Sequence, residues 1–227
     1  MSSSDIGQYY FVFSIDPPSN LSKLKLPVDI KIEYNENNLA TKMEIGVYGD
    51  IEETKNEAIQ KVKKLVAILS LQGIDLRIKY QNLYRLLPNG GKAYQRVFVE
   101  IIGYSDSIID NTAKPIIDIT QSLSISDIKF WRQMGHYDRG THSLDAIERY
   151  REFYQVLEDE GAVTTTEKAL RHAVNHPMLT SPATVVEVTR VLGSPCFDPM
   201  NQKHIDTIQN YADELQEKAK GILLAKI

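Results

Sequence analysis

The sequence predicts an α+β protein in which a β-rich half precedes a helical half. In the first half, apolar and polar residues alternate strictly at Val28–Tyr34 and Met43–Val47, which is the period of half-buried strands. In the second half, apolar residues recur every three or four positions, which is the period of amphipathic helices. This change of period predicts a β-rich domain at residues 1–103, a connecting segment at 104–124 and a helical bundle at 125–227.

The β-rich domain is predicted to follow the order βββαββ, as an antiparallel sheet with one covering helix. Each predicted strand is an apolar or alternating run bounded by polar or turn-forming residues. The apolar run that begins at Tyr9 is expected to end where Asp16, Pro17 and Pro18 follow it. The predicted strands are Tyr9–Ile15, Val28–Tyr34, Met43–Val47, Ile74–Leu86 and Tyr94–Ile102.

A single helix is predicted between the third and fourth strands. Asp50 is placed to cap its first turn, Glu53 lies at the offset of a capping box, and Gly73 ends it. Its lysines lie opposite an apolar stripe, so they are interpreted as a solvated face rather than as a nucleic-acid surface. The stripe comprises Ala58, Ile59, Val62, Leu65, Val66 and Leu69. In the connecting segment, Ile116–Ile119 is a candidate edge strand.

The second half is predicted to form a bundle of four main helices. Before them, a short helix is expected at Ile125–Met134, followed by a polar loop at Gly135–His142. Ser143 is expected to cap the first main helix, and Ser181 followed by Pro182 is a standard start for the third. The main helices are predicted at Leu144–Glu160, at the segment that ends near His176, at Ala183–Leu192 and at Gln202–Ala225.

Composition places the chain among ordinary soluble proteins. Hydrophobic residues make up 42% of its 227 residues and charged residues 25%. No apolar run approaches the ~18–20 residues that span a bilayer, and the start lacks the features of a secretory signal. The single cysteine, Cys196, excludes an intramolecular disulfide. A cytoplasmic protein without a membrane partner is therefore expected.

The charge balance counts against strong nonspecific binding of nucleic acid. The formal net charge is −4, and residues 126–227 carry 12 lysines and arginines against 15 aspartates and glutamates. Nonspecific nucleic-acid binding normally depends on a basic surface. A nucleic-acid enzyme with a small, local basic cleft stays compatible with this composition.

One short helix of the second half combines polar side chains suited to phosphate chemistry. Thr164 and Glu167 have the spacing of a capping box at its start, and Pro177 is expected to stop it at or near His176. At 100° per residue, one side is an apolar stripe formed by Ala169, Leu170, Ala173 and Val174. The other side carries Arg171, His172, Asn175 and His176.

The pattern Arg171-His172-x-x-x-His176 resembles the motif of the HEPN superfamily. That family is marked by an arginine, a polar residue directly after it, and a histidine four to six positions beyond the arginine. The segment Ala146–Glu158 is similar to the helix that precedes this motif in the Apea-like and MauJ-like branches. The resemblance covers residues 125–227 and implies a HEPN-like helical bundle.

The residues of this helix predict metal-independent cleavage of RNA, by attack of a ribose 2′-hydroxyl on its own phosphate. An imidazole is the side chain best suited to carry protons near neutral pH, which makes His176 the candidate proton carrier, and Arg171 offers a planar set of donors for phosphate oxygens. His172 and Asn175 are candidates for substrate binding. The resemblance implies the same roles for Arg171 and His176, with two protomers bringing their motifs together, and hence a homodimer through the bundle. The expected partner is RNA or a nucleotide, with no cofactor and no metal.

Two alternatives stay open. In the first, His172 and His176 are two metal ligands on one helical face, with a third ligand from Cys196, Asp198 or His204. Ala173 stands where zinc proteases have a glutamate, so their motif is absent. In the second, the bundle is a non-catalytic module that binds nucleotide or RNA or dimerises, while the N-terminal domain senses a ligand.

Overall fold

The structure is a computed structural model that describes residues 6–22, 24–74, 76–87, 89–96, 101–102, 117–176 and 178–227. The chain divides into two compact units, Met1–Ser126 and Asp127–Ile227. The first unit contains the described strands and two helices, and the second contains five further helices. The predicted α+β class is confirmed at this level, with an antiparallel sheet in the N-terminal unit.

Unit 1 is built on a six-stranded antiparallel sheet with the order β3-β4-β1-β5-β6, in which β7 also pairs with β5. Its strands are β1 (Gly7–Ser19), β3 (Ile30–Tyr34), β4 (Ala40–Gly49), β5 (Ile78–Leu86), β6 (Lys92–Arg96) and β7 (Ile101–Ile102). Two short strands, β2 (Leu24–Lys25) and β8 (Ile117–Asp118), form a separate parallel pair. The predicted strands and helix follow one another in the predicted order, with β2 added after the first strand. The fifth predicted strand, Tyr94–Ile102, corresponds to β6 and β7, and residues 97–100 lie outside the described residues.

Several strand boundaries differ from the prediction, and the candidate edge strand pairs elsewhere. Strand β1 continues past Ile15 to Ser19, because its register shifts between Ser14 and Ser19 and the prolines fall in that irregular stretch, where no ladder hydrogen bond is needed. Strand β5 begins at Ile78, not at Ile74. The candidate edge strand at Ile116–Ile119 pairs with β2 and does not join the main sheet. Residues 97–100 and 103–116, which include most of the predicted connecting segment, lie outside the described residues.

Helix α1 (Ile51–Leu71) covers one face of this sheet. Asp50 caps it by accepting a hydrogen bond from the Glu52 backbone, and the predicted apolar stripe is buried throughout. Alternate residues of β1, among them Phe11 and Phe13, are fully buried on the sheet face that meets the stripe. A second, four-residue helix, α2 (Thr120–Leu123), follows β8.

Unit 2 contains the helices α3 (Ile128–His142), α4 (Ala146–Asp159), α5 (Thr165–Asn175), α6 (Pro182–Leu192) and α7 (Gln202–Leu224). Helix α4 packs against α3, α5 and α7, and α6 packs against α5 and α7. The core comprises mainly aromatic and aliphatic side chains of α3, α4 and α7. Within the described ranges, no helix has both the length and the apolar character needed to cross a membrane.

The predicted loop at Gly135–His142 is wrong, because α3 runs without interruption to His142. Its buried residues Phe130, Gln133, Met134 and Tyr137 are spaced three or four apart, but one of them is polar, which hid the helical period. Gly140 lies so close to Phe153 that a Cβ there would be 2.7 Å from the ring. The glycine therefore permits contact between α3 and α4 and does not end the helix.

The helix caps of unit 2 follow the sequence closely, with one exception. Ser143 ends α3, and Asp145 caps α4 by accepting a hydrogen bond from the Glu148 backbone, so the predicted cap at Ser143 is wrong. Ser181 caps α6, whose first residue is Pro182, and Gly193 ends it in the left-handed conformation, as predicted. The predicted stop at Pro177 lies outside the described residues, and α5 ends one residue before His176.

Candidate functional site

Helix α5 is fixed at its N-terminus by a buried carboxylate. Glu167, whose side chain is 2% exposed, accepts hydrogen bonds from the Thr164 backbone at 2.6 Å and from Lys218 Nζ of α7 at 2.7 Å. Thr164 Oγ1 accepts in return from the Glu167 backbone, which completes the predicted capping box. Burial raises the pKa of Glu167, but these hydrogen bonds outweigh burial and hold the pKa below its ordinary value.

The apolar side of α5 packs between its neighbours. Leu170 is fully buried, and Ala169 and Ala173 form a small core with Val188 of α6. Tyr150 of α4 donates a hydrogen bond to the Glu167 carbonyl at 2.6 Å, which ties the middle of α4 to the first turn of α5. The opposite side of α5 is therefore held in one orientation, and we call its residues Arg171, His172, Asn175 and His176 the α5 face.

Arg171 is positioned by an aromatic ring. Its guanidinium carbon lies 5.1 Å from the centre of the Tyr154 ring on α4, and Nη2 lies 4.0 Å from Glu158 Oε2. Burial and, to a smaller extent, Glu158 together raise the pKa of Tyr154 to about 12, so the phenol under the guanidinium stays neutral. Arg171 makes no hydrogen bond to any residue that the structure describes, and its side chain is 39% exposed. Its N–H donors are available to a ligand.

The two histidines of the α5 face lie side by side. The centres of the His172 and His176 rings are 5.2 Å apart, with an angle of 36° between their planes. Both residues are exposed. His176 follows the last helical residue, has an extended backbone and donates its backbone N–H to the His172 carbonyl at 3.0 Å. The chain therefore presents two imidazoles close to Arg171 in the sequence and on one side of the helix.

Asn175 is held by an arginine that the sequence analysis missed. Arg151 of α4 donates from Nε to Asn175 Oδ1 at 2.7 Å and from Nη2 to the Val174 carbonyl at 3.1 Å. It also pairs with Glu148 one turn earlier on α4. Arg151, Tyr154 and Glu158 are spaced three and four residues apart, so they share one side of α4, and that spacing was the available signal. We call the α5 face together with Arg151 the α4–α5 surface.

The described part of the chain does not bring a third metal ligand to the two histidines. No group of three histidine, cysteine, aspartate or glutamate residues suited to a metal ion is found among the described residues. His204, one of the predicted third ligands, is buried, and its Nδ1 accepts a hydrogen bond from the Asp198 backbone at 3.0 Å. Its ring lies 6.1 Å from that of Phe197. His204 therefore fixes the turn before α7.

The chemistry of the α4–α5 surface is that of a small anion site flanked by acids. Arg151 and Arg171 provide positive charge, and Glu148 and Glu158 lie beside them. Two exposed imidazoles add ring nitrogens that can donate or accept hydrogen bonds. No protein-family model, curated protein or solved structure matches the chain.

Proposed function

We propose that the α4–α5 surface binds a phosphodiester of RNA and cleaves it without a metal ion. The supporting observation is that Arg171 lies over the Tyr154 ring without a hydrogen bond to any described residue, on a helix that also carries two exposed imidazoles. A buried or structural arginine normally has its donors satisfied by protein groups. A guanidinium that an aromatic ring holds in place, and whose donors bind no described residue, is suited to donate two parallel hydrogen bonds to phosphate oxygens.

In the proposed reaction, the ribose 2′-oxygen attacks the adjacent phosphorus. Neutral His176 accepts the 2′-hydroxyl proton, the new O2′–P bond forms, and the P–O5′ bond breaks. The leaving 5′-oxygen takes a proton from the imidazolium of a second His176, which the other protomer of the proposed homodimer supplies. Arg171 stabilises the charge that develops on the non-bridging oxygens. The products carry a 2′,3′-cyclic phosphate and a 5′-hydroxyl. His172, beside His176, orients that ring or binds a neighbouring phosphate.

The resemblance of this motif to the HEPN superfamily supports the same assignment of Arg171 and His176. In that family's arrangement two protomers form one cleft, so we also propose a homodimer through unit 2. A two-fold dimer supplies a second Arg171–His176 pair from the same sequence. The test is to mix wild-type protein with excess His176→Ala protein under conditions that exchange subunits. Activity well below that of the added wild type supports a shared cleft, and unchanged activity means that each protomer works alone.

Binding without cleavage is the second candidate function. The observation that favours it is the pair of carboxylates at the surface, because Glu158 Oε2 lies 4.0 Å from Arg171 Nη2 and Glu148 pairs with Arg151. These acids reduce the local positive charge that a bound transition state needs. In this case the α4–α5 surface holds a nucleotide or RNA, and unit 2 serves as a dimerisation or scaffold module.

The test is to incubate the purified protein with mixed RNA beside its Arg171→Ala and His176→Ala variants. Cleavage by the wild type and its loss in both variants supports the ribonuclease. Retained RNA binding without cleavage in the wild type supports the second candidate. His142→Ala is the matched control, because His142 is an exposed histidine of the same unit that lies on α3. Loss of activity in that control as well indicates a general effect on folding.

A further inference from the structure

The sheet of unit 1 carries a row of three tyrosines on the face opposite α1. Helix α1 covers the side of β1 that holds Phe11, so the neighbouring residue Tyr10 lies on the other side. Tyr10 of β1 pairs in register with Tyr84 of β5, which pairs with Tyr94 of β6. The ring centres are 5.0 Å apart in the first pair, with nearly parallel planes, and 5.4 Å apart in the second. We call Tyr10, Tyr84 and Tyr94 the tyrosine row.

The strands hold the central ring of the row rigidly. The Tyr84 hydroxyl donates to Glu44 Oε2 at 2.5 Å, and Lys92 Nζ lies 4.1 Å from the centre of the ring. At the β4 end of the row stands Gly46, where a Cβ would lie 3.3 Å from Tyr10 Cε1. The absent side chain leaves room for the Tyr10 ring against the sheet. Tyr84 is 4% exposed, whereas Tyr94 is 63% exposed.

Lysine and glutamate side chains share the sheet face of the tyrosine row. Register places Lys31, Lys42 and Lys92 on the same face as the tyrosines. The carboxylates Glu33 and Glu44 share the face, but Glu33 pairs with Lys42 at 3.2 Å and Glu44 accepts from the Tyr84 hydroxyl. Lys31 lies opposite Glu44 in register and Lys42 pairs with Glu33, so Lys92 is the cation beside the row, and Tyr94 is its exposed ring. This combination fits an anionic ligand that has flat rings.

Aliphatic side chains are scarce on the same face. Among the described side chains of the paired strands, register places Val12 and Leu86 there. A protein partner usually needs an apolar core at its interface, and two separated aliphatic residues do not supply one. Exposed aromatic rings on an antiparallel sheet, interleaved with cations, are instead the means by which proteins hold unpaired bases.

We infer that the tyrosine row is a stacking platform whose exposed ring, Tyr94, takes a base of single-stranded RNA, with Lys92 beside the phosphate. This inference rests on the proposed function, because it assigns the substrate class as unpaired RNA. Stacking tolerates any base, since every base has a π face. The row is therefore expected to bind single-stranded RNA without sequence specificity.

The test measures binding of a fluorescent single-stranded RNA of about 12 nucleotides by the full chain, in a His176→Ala background that prevents cleavage. Tyr94→Ala is expected to raise the Kd about tenfold, while Tyr94→Phe, which keeps the stacking ring, stays within about twofold. Tyr34→Ala is the control, because Tyr34 is an exposed tyrosine of β3 outside the row. Because Tyr94 is itself exposed on its strand, all variants should keep the parent's thermal melt.

Unchanged affinity in Tyr94→Ala overturns the inference, as does equal weakening by Tyr94→Phe and Tyr94→Ala. So does a parent that binds no single-stranded RNA, or one that binds a neutral oligosaccharide in preference to RNA. The result is separable from the proposed cleavage. If the wild type never cuts RNA but Tyr94→Ala weakens binding, the platform stands and the ribonuclease fails. If the wild type cuts RNA and Tyr94→Ala changes neither Kd nor KM, the ribonuclease stands and the platform fails.

Discussion

Arg151 and Arg171 lie on neighbouring helices of one unit, yet the protein holds them in different ways. Arg151 donates to Asn175, to the Val174 carbonyl and to Glu148. Arg171 lies over the Tyr154 ring, 4.0 Å from Glu158, and makes no hydrogen bond to any described residue. Satisfied donors indicate a structural role, and unused donors beside a ring indicate a ligand. This difference separates the part of the α4–α5 surface that fixes α5 from the part that we propose binds the substrate.

The largest expected effect is on activity, at Arg171. Arg171→Ala and Arg171→Lys should each lower the rate of RNA cleavage about 100-fold or more, because an ammonium does not reproduce the planar set of donors that binds phosphate oxygens. The melting temperature of both variants should stay within a few degrees of the wild type. Rates from single-turnover cleavage and melts by circular dichroism measure the two quantities. If Arg171→Lys is unfolded, Arg171 has a structural role, as Arg151 does, and the proposed difference between the two arginines is wrong.

The next effect is on stability, at Glu167. Glu167→Ala leaves the Thr164 backbone N–H and Lys218 without their partner, which should cost about 2–3 kcal/mol of unfolding free energy. Urea unfolding measures this value, and Glu214→Ala is the control, because Glu214 is an exposed carboxylate on α7. A loss equal to that of the control would show that the buried carboxylate does not anchor α5.

The same carboxylate predicts a dependence of stability on pH. The pKa of Glu167 is lower in the folded protein than its ordinary value, since hydrogen bonds from Lys218 and Thr164 outweigh burial. Its contribution is therefore complete above the ordinary pKa and is lost as the pH falls through the folded value. Between neutral pH and pH about 3, the wild type should lose more stability than Glu167→Gln. If the unfolding free energies of the two proteins fall equally with pH, measured by urea unfolding, the stabilising role of the ionised Glu167 is contradicted.

Local signals predicted much of the fold, because caps depend on residues close in the chain. Thr164 with Glu167, Ser181 with Pro182, and Gly193 all act as their sequence positions suggested. Gly140 was wrongly predicted to lie in a loop. A glycine is needed there because the Phe153 ring of the next helix leaves no room for a side chain. Such a contact between helices has no signature in the α3 segment itself.

Only the part of the candidate site that depends on residues close in the chain could be predicted from the sequence. The α5 face follows from helical spacing alone, so its four residues were found directly. Arg151 was missed because its partners Asn175 and Val174 lie on a different helix. The tyrosine row was missed because alternation gives the face of a strand but not which residues pair across strands, and Tyr10, Tyr84 and Tyr94 meet only through register.

The smallest expected effect is at Arg151. Arg151→Ala removes the hydrogen bonds to Asn175 and Val174 and should cost about 1 kcal/mol of stability, because the freed groups are exposed or partly buried and can bind water. Cleavage should fall only a few-fold, through less precise placement of the α5 face. Urea unfolding and kcat/KM on one RNA check both values. A loss of activity as large as that of Arg171→Ala would place Arg151 against the substrate and contradict the division drawn here.

The most direct measurement is the chemistry of the ends that the wild-type protein leaves on RNA in the presence of EDTA. We expect continued cleavage, with 2′,3′-cyclic phosphate and 5′-hydroxyl ends, because the α5 face offers imidazoles and a guanidinium rather than a carboxylate cluster for Mg²⁺. Loss of cleavage on chelation, restored by zinc or magnesium, would contradict it and would favour the two histidines as metal ligands.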